Sequence, residues 1–180
     1  MITNKKMLII NIILIIVFIL SVLFILPIKL PNLPINIKKN HLYKIVSKNS
    51  GLALDVAGSS YEDGARISQY EYNNTSNQIW SFDVDKNGYY TIISKNSGKC
   101  IDIGGNGGEN GDPIIQKTII GTDTQKWNLE KVKGNYFIIK SRATGRCLDV
   151  PYSSRDSGMN INLYDVHGND NQKWSISLVK

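Results

Sequence analysis

Beyond residue 40 the chain alternates apolar and polar side chains with a period of two, the pattern of strands whose side chains point to opposite faces. Leu54 and Val56 flank Asp55, Ile101 and Ile103 flank Asp102, and Leu148 and Val150 flank Asp149. The pattern predicts the apolar flanks on the inner face and each carboxylate on the other. Polar turns, Lys48-Asn49-Ser50-Gly51 and Lys95-Asn96-Ser97-Gly98, join an incoming strand that begins at Tyr43 or Tyr90 to the aspartate strand. Glycine there supplies the positive φ of a tight turn. No segment after residue 40 has a helical period, so the expected class is all-β. Residues 7–26 are different: 20 residues without a charge, polar only at Asn11 and Ser21, long enough as a helix to cross a hydrocarbon core of about 30 Å.

The strand pattern recurs at a fixed interval. Gln78-Ile79-Trp80, Gln125-Lys126-Trp127 and Gln172-Lys173-Trp174 lie 47 residues apart and contain all three tryptophans of the protein. Gly51, Gly98 and Gly145, the three aspartates, and Gly64, Gly111 and Gly158 keep the same register. Such self-similarity identifies a threefold internal repeat, spanning residues 43–83, 90–130 and 137–175. One unit of several short strands cannot bury its apolar face alone, whereas three can close around one axis, which predicts a closed threefold barrel.

Charge counted by segment alters the meaning of a net +6. Residues 1–40 hold Lys5, Lys6, Lys29, Lys38 and Lys39 and no acid, leaving 16 basic against 15 acidic residues in the repeats. The excess therefore sits beside the apolar run, where it suits an anionic lipid surface, and provides no broad basic face for nucleic acid. After the run come Ile25, Leu26, Pro27, Ile28 and Lys29, large where a signal-peptide cleavage site needs small side chains. The expectation is an uncleaved anchor with residues 1–6 as a cytoplasmic tail and the repeats on the outer side; cleavage would instead release a secreted domain. Pro27, Pro31 and Pro34 make residues 27–40 an extended stalk reaching up to roughly 40 Å.

The Leu-Asp-Val strand, a glycine-ended loop, an aromatic and then Asn-Gln-x-Trp resemble the ricin-B-type lectin repeat, over essentially the whole of residues 41–180. The resemblance implies a β-trefoil with pseudo-threefold symmetry and a carbohydrate-binding function; the apolar run places one N-terminal transmembrane helix before it, and no cofactor is expected. In that family the strand Asp accepts from two sugar hydroxyls, an aromatic ring is the platform, an amide stands two positions before the ring, and the Asn of Asn-Gln-x-Trp completes the set. The chemistry is sound in its own right: a carboxylate accepts from vicinal hydroxyls, and a ring covers the C–H face of a pyranose.

Carried over by position, the third repeat keeps Asp149, Asn162, Tyr164, Asn171 and Gln172. The first keeps Asp55, Tyr70, Asn77 and Gln78, with Ser68 at the amide position. In the second, Asp102 and Gln125 persist, but Lys117, Ile115 and Thr124 replace the platform, the amide and the Asn, so that repeat is expected to be structural only. The tryptophans, present even there, are expected in the core, and each Gln is expected to orient backbone or Asp rather than touch sugar. Galactose-type sugars are the family's frequent ligands.

Cys100 and Cys147 occupy the same position in successive repeats, so a bond between them is not expected. Family members bridge this position to a second Cys two residues after the platform, where this chain has Ile119 and Val166, with Tyr72 beyond Ala53; the thiols are expected to be inert apolar contacts. His41 and His167 are too few for a histidine-rich metal site and lack a nucleophile partner; His167 stands in a turn, either solvated, the preferred reading, or lining the third pocket. Glu62-Asp63 and Gly104-Gly105-Asn106-Gly107-Gly108 fit neither a phosphate loop nor a calcium loop. The reading is a non-enzymatic lectin module; the alternative is a trefoil serving as a protein-interaction or targeting subunit for a toxin or enzyme partner.

Overall fold

The computed structural model describes residues 37–105 and 107–179. The tail 1–6, the apolar run 7–26 and residues 27–36 of the stalk lie outside them, and among the described residues no helix is long and apolar enough to cross a membrane. At the end of the stalk, Ile37 packs against the core and the Lys38 N–H donates to the Tyr43 hydroxyl at 2.8 Å.

Twelve strands are described, four per repeat: β1 (Tyr43–Ser47), β2 (Ala53–Val56), β3 (Ile67–Tyr70) and β4 (Trp80–Val84); β5 (Tyr90–Ser94), β6 (Cys100–Ile103), β7 (Ile114–Lys117) and β8 (Trp127–Val132); β9 (Tyr136–Ser141), β10 (Cys147–Asp149), β11 (Asn162–Tyr164) and β12 (Trp174–Leu178). The first and last strand of each repeat form the barrel, whose antiparallel ring runs β1-β4-β5-β8-β9-β12 and closes from β12 back to β1. The inner pairs β2–β3, β6–β7 and β10–β11 are hairpins that cap one end. Single bridges Arg66↔Ile115, Pro113↔Asn162 and Ser68↔Asn160 tie each hairpin to the next, closing the cap. This is the β-trefoil.

The 47-residue interval reappears as rings of equivalent core side chains. Ile45, Ile92 and Ile139, then Leu54, Ile101 and Leu148, then Ile67, Ile114 and Ile161, and finally Trp80, Trp127 and Trp174, are all fully buried. Each ring joins three repeats, and each buried indole contributes a few kcal/mol. The indole N–H groups are satisfied too: Trp80, Trp127 and Trp174 Nε1 donate to the carbonyls of Leu54, Ile101 and Leu148 at 3.1, 3.2 and 3.3 Å. Each acceptor precedes the strand aspartate, so the tryptophan fixes the height of the Asp strand over the core. Gly51, Gly98 and Gly145 take φ of 76°, 70° and 74° in the turns that lead into these strands.

One expectation changes. Asp55, Asp102 and Asp149 do point away from the apolar core, yet they are only 5%, 3% and 4% exposed. The short 3₁₀ turns Ser76–Gln78, Asp123–Gln125 and Asp170–Gln172 fold over them. Alternation set the face, and the returning chain covered it.

Candidate functional site

In the third repeat, Asp149 on β10 lies directly across the hairpin from Asn162 on β11. With Tyr164, Asn171 and His167 they line a cleft of about 470 Å³ whose far wall is the turn Pro151–Ser153. All hydrogen bonds to Asp149 converge on one oxygen: Asn171 Nδ2 and Gln172 Nε2 donate to Oδ2 at 2.9 Å each, and His167 Nε2 lies 3.3 Å from it. The backbone N–H of Asn169 donates to His167 Nδ1, so the neutral ring carries its proton on Nε2 and donates to the carboxylate. Among the described residues Oδ1 accepts nothing. Burial raises the Asp149 carboxyl above the usual carboxylate range, against the opposing pull of Gln172, His167 and Asn171. Tyr164 is 43% exposed, a ring presented to solvent beside that open oxygen. Asn171 Oδ1 is buried beside the cleft and has no hydrogen-bond partner among the described residues.

The first repeat builds the same arrangement more sparsely. Asp55, Tyr70, Asn77 and Ser68 line a cleft of about 420 Å³ bounded by the turn Ala57–Ser59. Asn77 Nδ2 donates to Asp55 Oδ2 at 2.8 Å, and again Oδ1 accepts nothing among the described residues. Gln78 bonds the Glu71 carbonyl and the Asn73 N–H and, with Asn77, pulls against the upward shift of Asp55, but no histidine approaches. With fewer donors, burial pushes the Asp55 carboxyl up to about 6. Tyr70 is 46% exposed.

The second repeat differs in the feature that matters. Asp102 Oδ2 accepts from Gln125 at 3.0 Å and Oδ1 from the Ile103 N–H at 2.7 Å, so both oxygens are satisfied internally. Among the described residues no 3₁₀ turn walls the loop after β6, and Pro113 Cγ and Ile115 Cγ2 lie 3.0 and 3.1 Å from where a Cβ on Gly104 would stand, so the start of the loop lies close against these two side chains.

Gln78 and Gln172 line neither cleft. Both are fully buried, as is Gln125, and all three staple the preceding loop; Gln172 and Gln125 also hydrogen-bond the Asp. Their place at the site is positioning. Of the two readings of His167 the structure takes the less favoured one: although its backbone lies in a turn, its ring lines the third cleft, edge to face with Tyr164 at 6.1 Å. Cys100 and Cys147 are free and buried, and burial pushes both thiols up to about 12. In register they face Lys117 and Tyr164, not Ile119 and Val166, which are largely exposed.

Several site residues come from neighbouring repeats. Asn49 of the first repeat donates to the carbonyls of Ser153 and Ser154, holding the wall of the third cleft. Asn96 of the second repeat donates to those of Ser59 and Ser60, holding the wall of the first, and accepts from Ser76. The equivalent position facing the second repeat is Ala143, which has no such donor. Arg66 Nη2 donates to Asn162 Oδ1 at 3.0 Å, leaving the Asn162 N–H groups for the cleft. The repeat register marked Asn49 and Asn96 as equivalent, but their partners lie 104 and 37 residues away in sequence, respectively. Tyr152, on the wall of the third cleft, was also overlooked; its signal is an aromatic where the first repeat has Gly58.

A threefold barrel carrying shallow clefts, each with an open carboxylate oxygen beside an exposed ring, defines a trefoil of the lectin type. Residues 33–117 and 123–180 match the family described as ricin-type beta-trefoil lectin domain-like. The chain belongs to that family. Among solved structures, the designed threefold-symmetric protein ThreeFoil is 38% identical with a TM-score of 0.72, the match covering 75% of this chain and 96% of that one. An exo-beta-1,3-galactanase from Clostridium thermocellum is 34% identical with a TM-score of 0.76, over 79% of this chain but 31% of the enzyme. A ricin B-like lectin from Macrolepiota procera, solved in complex with lactose, shares the fold at 23% identity and a TM-score of 0.68, over 79% of this chain and 99% of that one. Comparison with curated protein sequences finds no match.

Proposed function

We propose that residues 41–180 are a carbohydrate-binding module without catalytic activity, which takes a galactose-type glycan or polysaccharide in the third repeat and, more weakly, in the first. The observation that carries this reading is the state of the three carboxylates. Where a ring stands alongside, in the first and third repeats, the Asp lining the cleft keeps Oδ1 without a partner among the described residues; where Lys117 replaces the ring, both oxygens are consumed. An ionised carboxylate oxygen accepts sugar hydroxyls strongly, and Tyr70 or Tyr164 covers the apolar sugar face. Clefts of about 420 and 470 Å³ lie at the small end of the roughly 300–1,000 Å³ of ligand sites. Each is shallow, so monovalent binding is weak and useful adhesion comes from two sites per domain and many domains on one surface.

The 20-residue apolar run supports display of the module on the outer side of a membrane as a single-pass anchor. A second reading, a targeting subunit for an enzyme partner, is favoured by the likeness to a 31% portion of a galactanase; co-purification of a second chain would support it. The test is a glycan array probed with the full-length chain and with an Asp149→Ala/Tyr164→Ala variant. Binding that falls to the residual level of the first cleft supports the lectin reading, and equal binding by the variant, or none by either, sinks it. Carbonate extraction and protease accessibility in intact cells test the anchor and its orientation.

A further inference from the structure

The first and third clefts are not equivalent, and the difference is one residue. The third position after the strand Asp is Gly58 in the first repeat and Tyr152 in the third. Both sit in the left-handed region, φ 63° and 57°, in otherwise matching 3₁₀ turns. Glycine adopts that conformation freely; a tyrosine does so only under constraint. The constraint is visible. Pro151 fixes the start of the turn, and Asn49 from the first repeat clamps its end through the Ser153 carbonyl at 2.8 Å. The ring so presented is 98% exposed and has no hydrogen-bond or aromatic partner among the described residues. It therefore adds strain without contributing packing, although it lines the same cleft as Asp149 and Tyr164.

A strained, clamped and uncovered aromatic at the rim of a cleft is explained by something that binds there. Building on the carbohydrate reading above, we propose that Tyr152 forms a second sugar-binding position, so that the third cleft takes an oligosaccharide of at least two residues while the first takes a single terminal sugar. One sugar hydrogen-bonds Asp149 Oδ1 against Tyr164. Its neighbour lays a C–H face on the Tyr152 ring, which the turn holds in place before the ligand arrives, so little ordering remains at binding. Gly58 offers no ring, and the first cleft gains nothing from a longer chain.

The experiment uses the full-length chain with Asp55→Ala and Tyr70→Ala silencing the first cleft, alone or with Tyr152→Gly or Tyr152→Phe. Each is titrated with galactose, N-acetylgalactosamine, glucose, mannose and xylose, and with oligosaccharides of the same sugars. The Tyr152→Gly variant restores the residue suited to this backbone, and with the ring so exposed no core contact is lost. For the parent and Tyr152→Phe, affinity rises roughly two- to tenfold from the bound monosaccharide to its oligosaccharide, the size of one ring contact. In Tyr152→Gly the rise from monosaccharide to oligosaccharide disappears. An equal rise in Tyr152→Gly, or no rise in the parent, overturns the second position and leaves the lectin reading standing. Failure of the parent to bind any of these sugars, mono- or oligosaccharide, overturns both.

Discussion

The buried glutamines give the sharpest energetic test, because the same residue sits in three repeats with different numbers of partners. Gln172 makes four hydrogen bonds, to Asp149 Oδ2, the Asp165 carbonyl, and the N–H groups of His167 and Gly168, at 2.8–3.0 Å. Gln125 makes four of the same kind, to Asp102, Thr118, Ile120 and Gly121. Gln78 makes two of that geometry, to Glu71 and Asn73, its amide acting on Asp55 only as a favourable dipole that pulls the carboxyl down. Replacement by Leu, of similar volume, deletes all of them at about 1 kcal/mol each, so the loss is about 4 kcal/mol at the first two positions and about 2 at the third. Leucine returns some apolar burial, but equally at three fully buried positions, so the gap of about 2 kcal/mol survives. Urea unfolding of the full-length chain measures it: with a slope of about 2 kcal/mol/M, Gln125→Leu and Gln172→Leu unfold about 1 M below Gln78→Leu. The reasoning is refuted if Gln125→Leu leaves the midpoint unchanged, for then the glutamine serves only repeats that carry an open carboxylate; it is equally refuted if Gln78→Leu is the costliest.

Cross-repeat clamping predicts that Asn96→Ala weakens binding in the first cleft and Asn49→Ala in the third. Each loses about 1–3 kcal/mol of stability, and glycan binding in backgrounds with only one cleft intact separates them. The pH dependence differs between clefts. The Asp55 carboxyl, held up to about 6 by burial, loses its ionised acceptor as pH falls through that value. Since its folded pKa lies above the unfolded one, the charge disfavours the fold above pH 6, and this cost is relieved between about 6 and 3.8 on acidification. Binding by an Asp149→Ala chain should therefore be present at pH 7.5 and lost by pH 5, while an Asp55→Ala chain, whose Asp149 keeps three donors, holds its ligand to lower pH. Buried thiols at about 12 predict that Cys100 and Cys147 resist a disulfide reagent at pH 8 until the domain unfolds, and react then together.

Much of this molecule was written in one dimension. A 47-residue interval requires threefold-equivalent environments, so the rings of isoleucine, leucine and tryptophan and the barrel they fill follow from register, whereas the placing of Asp149, Tyr164 and Asn171 in one cleft was what the resemblance to the ricin-B-type repeat implied. The degeneracy of the second repeat was equally plain at Lys117 and Ile115. Spacing has no means of saying which oxygen of a carboxylate is left free, because that depends on how the returning 3₁₀ turn aims two amides. It carries no information on burial of the strand aspartates either, since alternation fixes a face and a later segment covers it. The partners Asn49, Asn96 and Arg66 were hidden for a related reason: each site is walled by the next repeat, and a repeat pattern describes each unit separately. The exposure of Tyr152 belongs to the same category. A tyrosine in sequence is more often packed than not, and only the closed trefoil, with a proline and a neighbouring asparagine fixing a left-handed turn, leaves this one facing solvent at the mouth of a cleft.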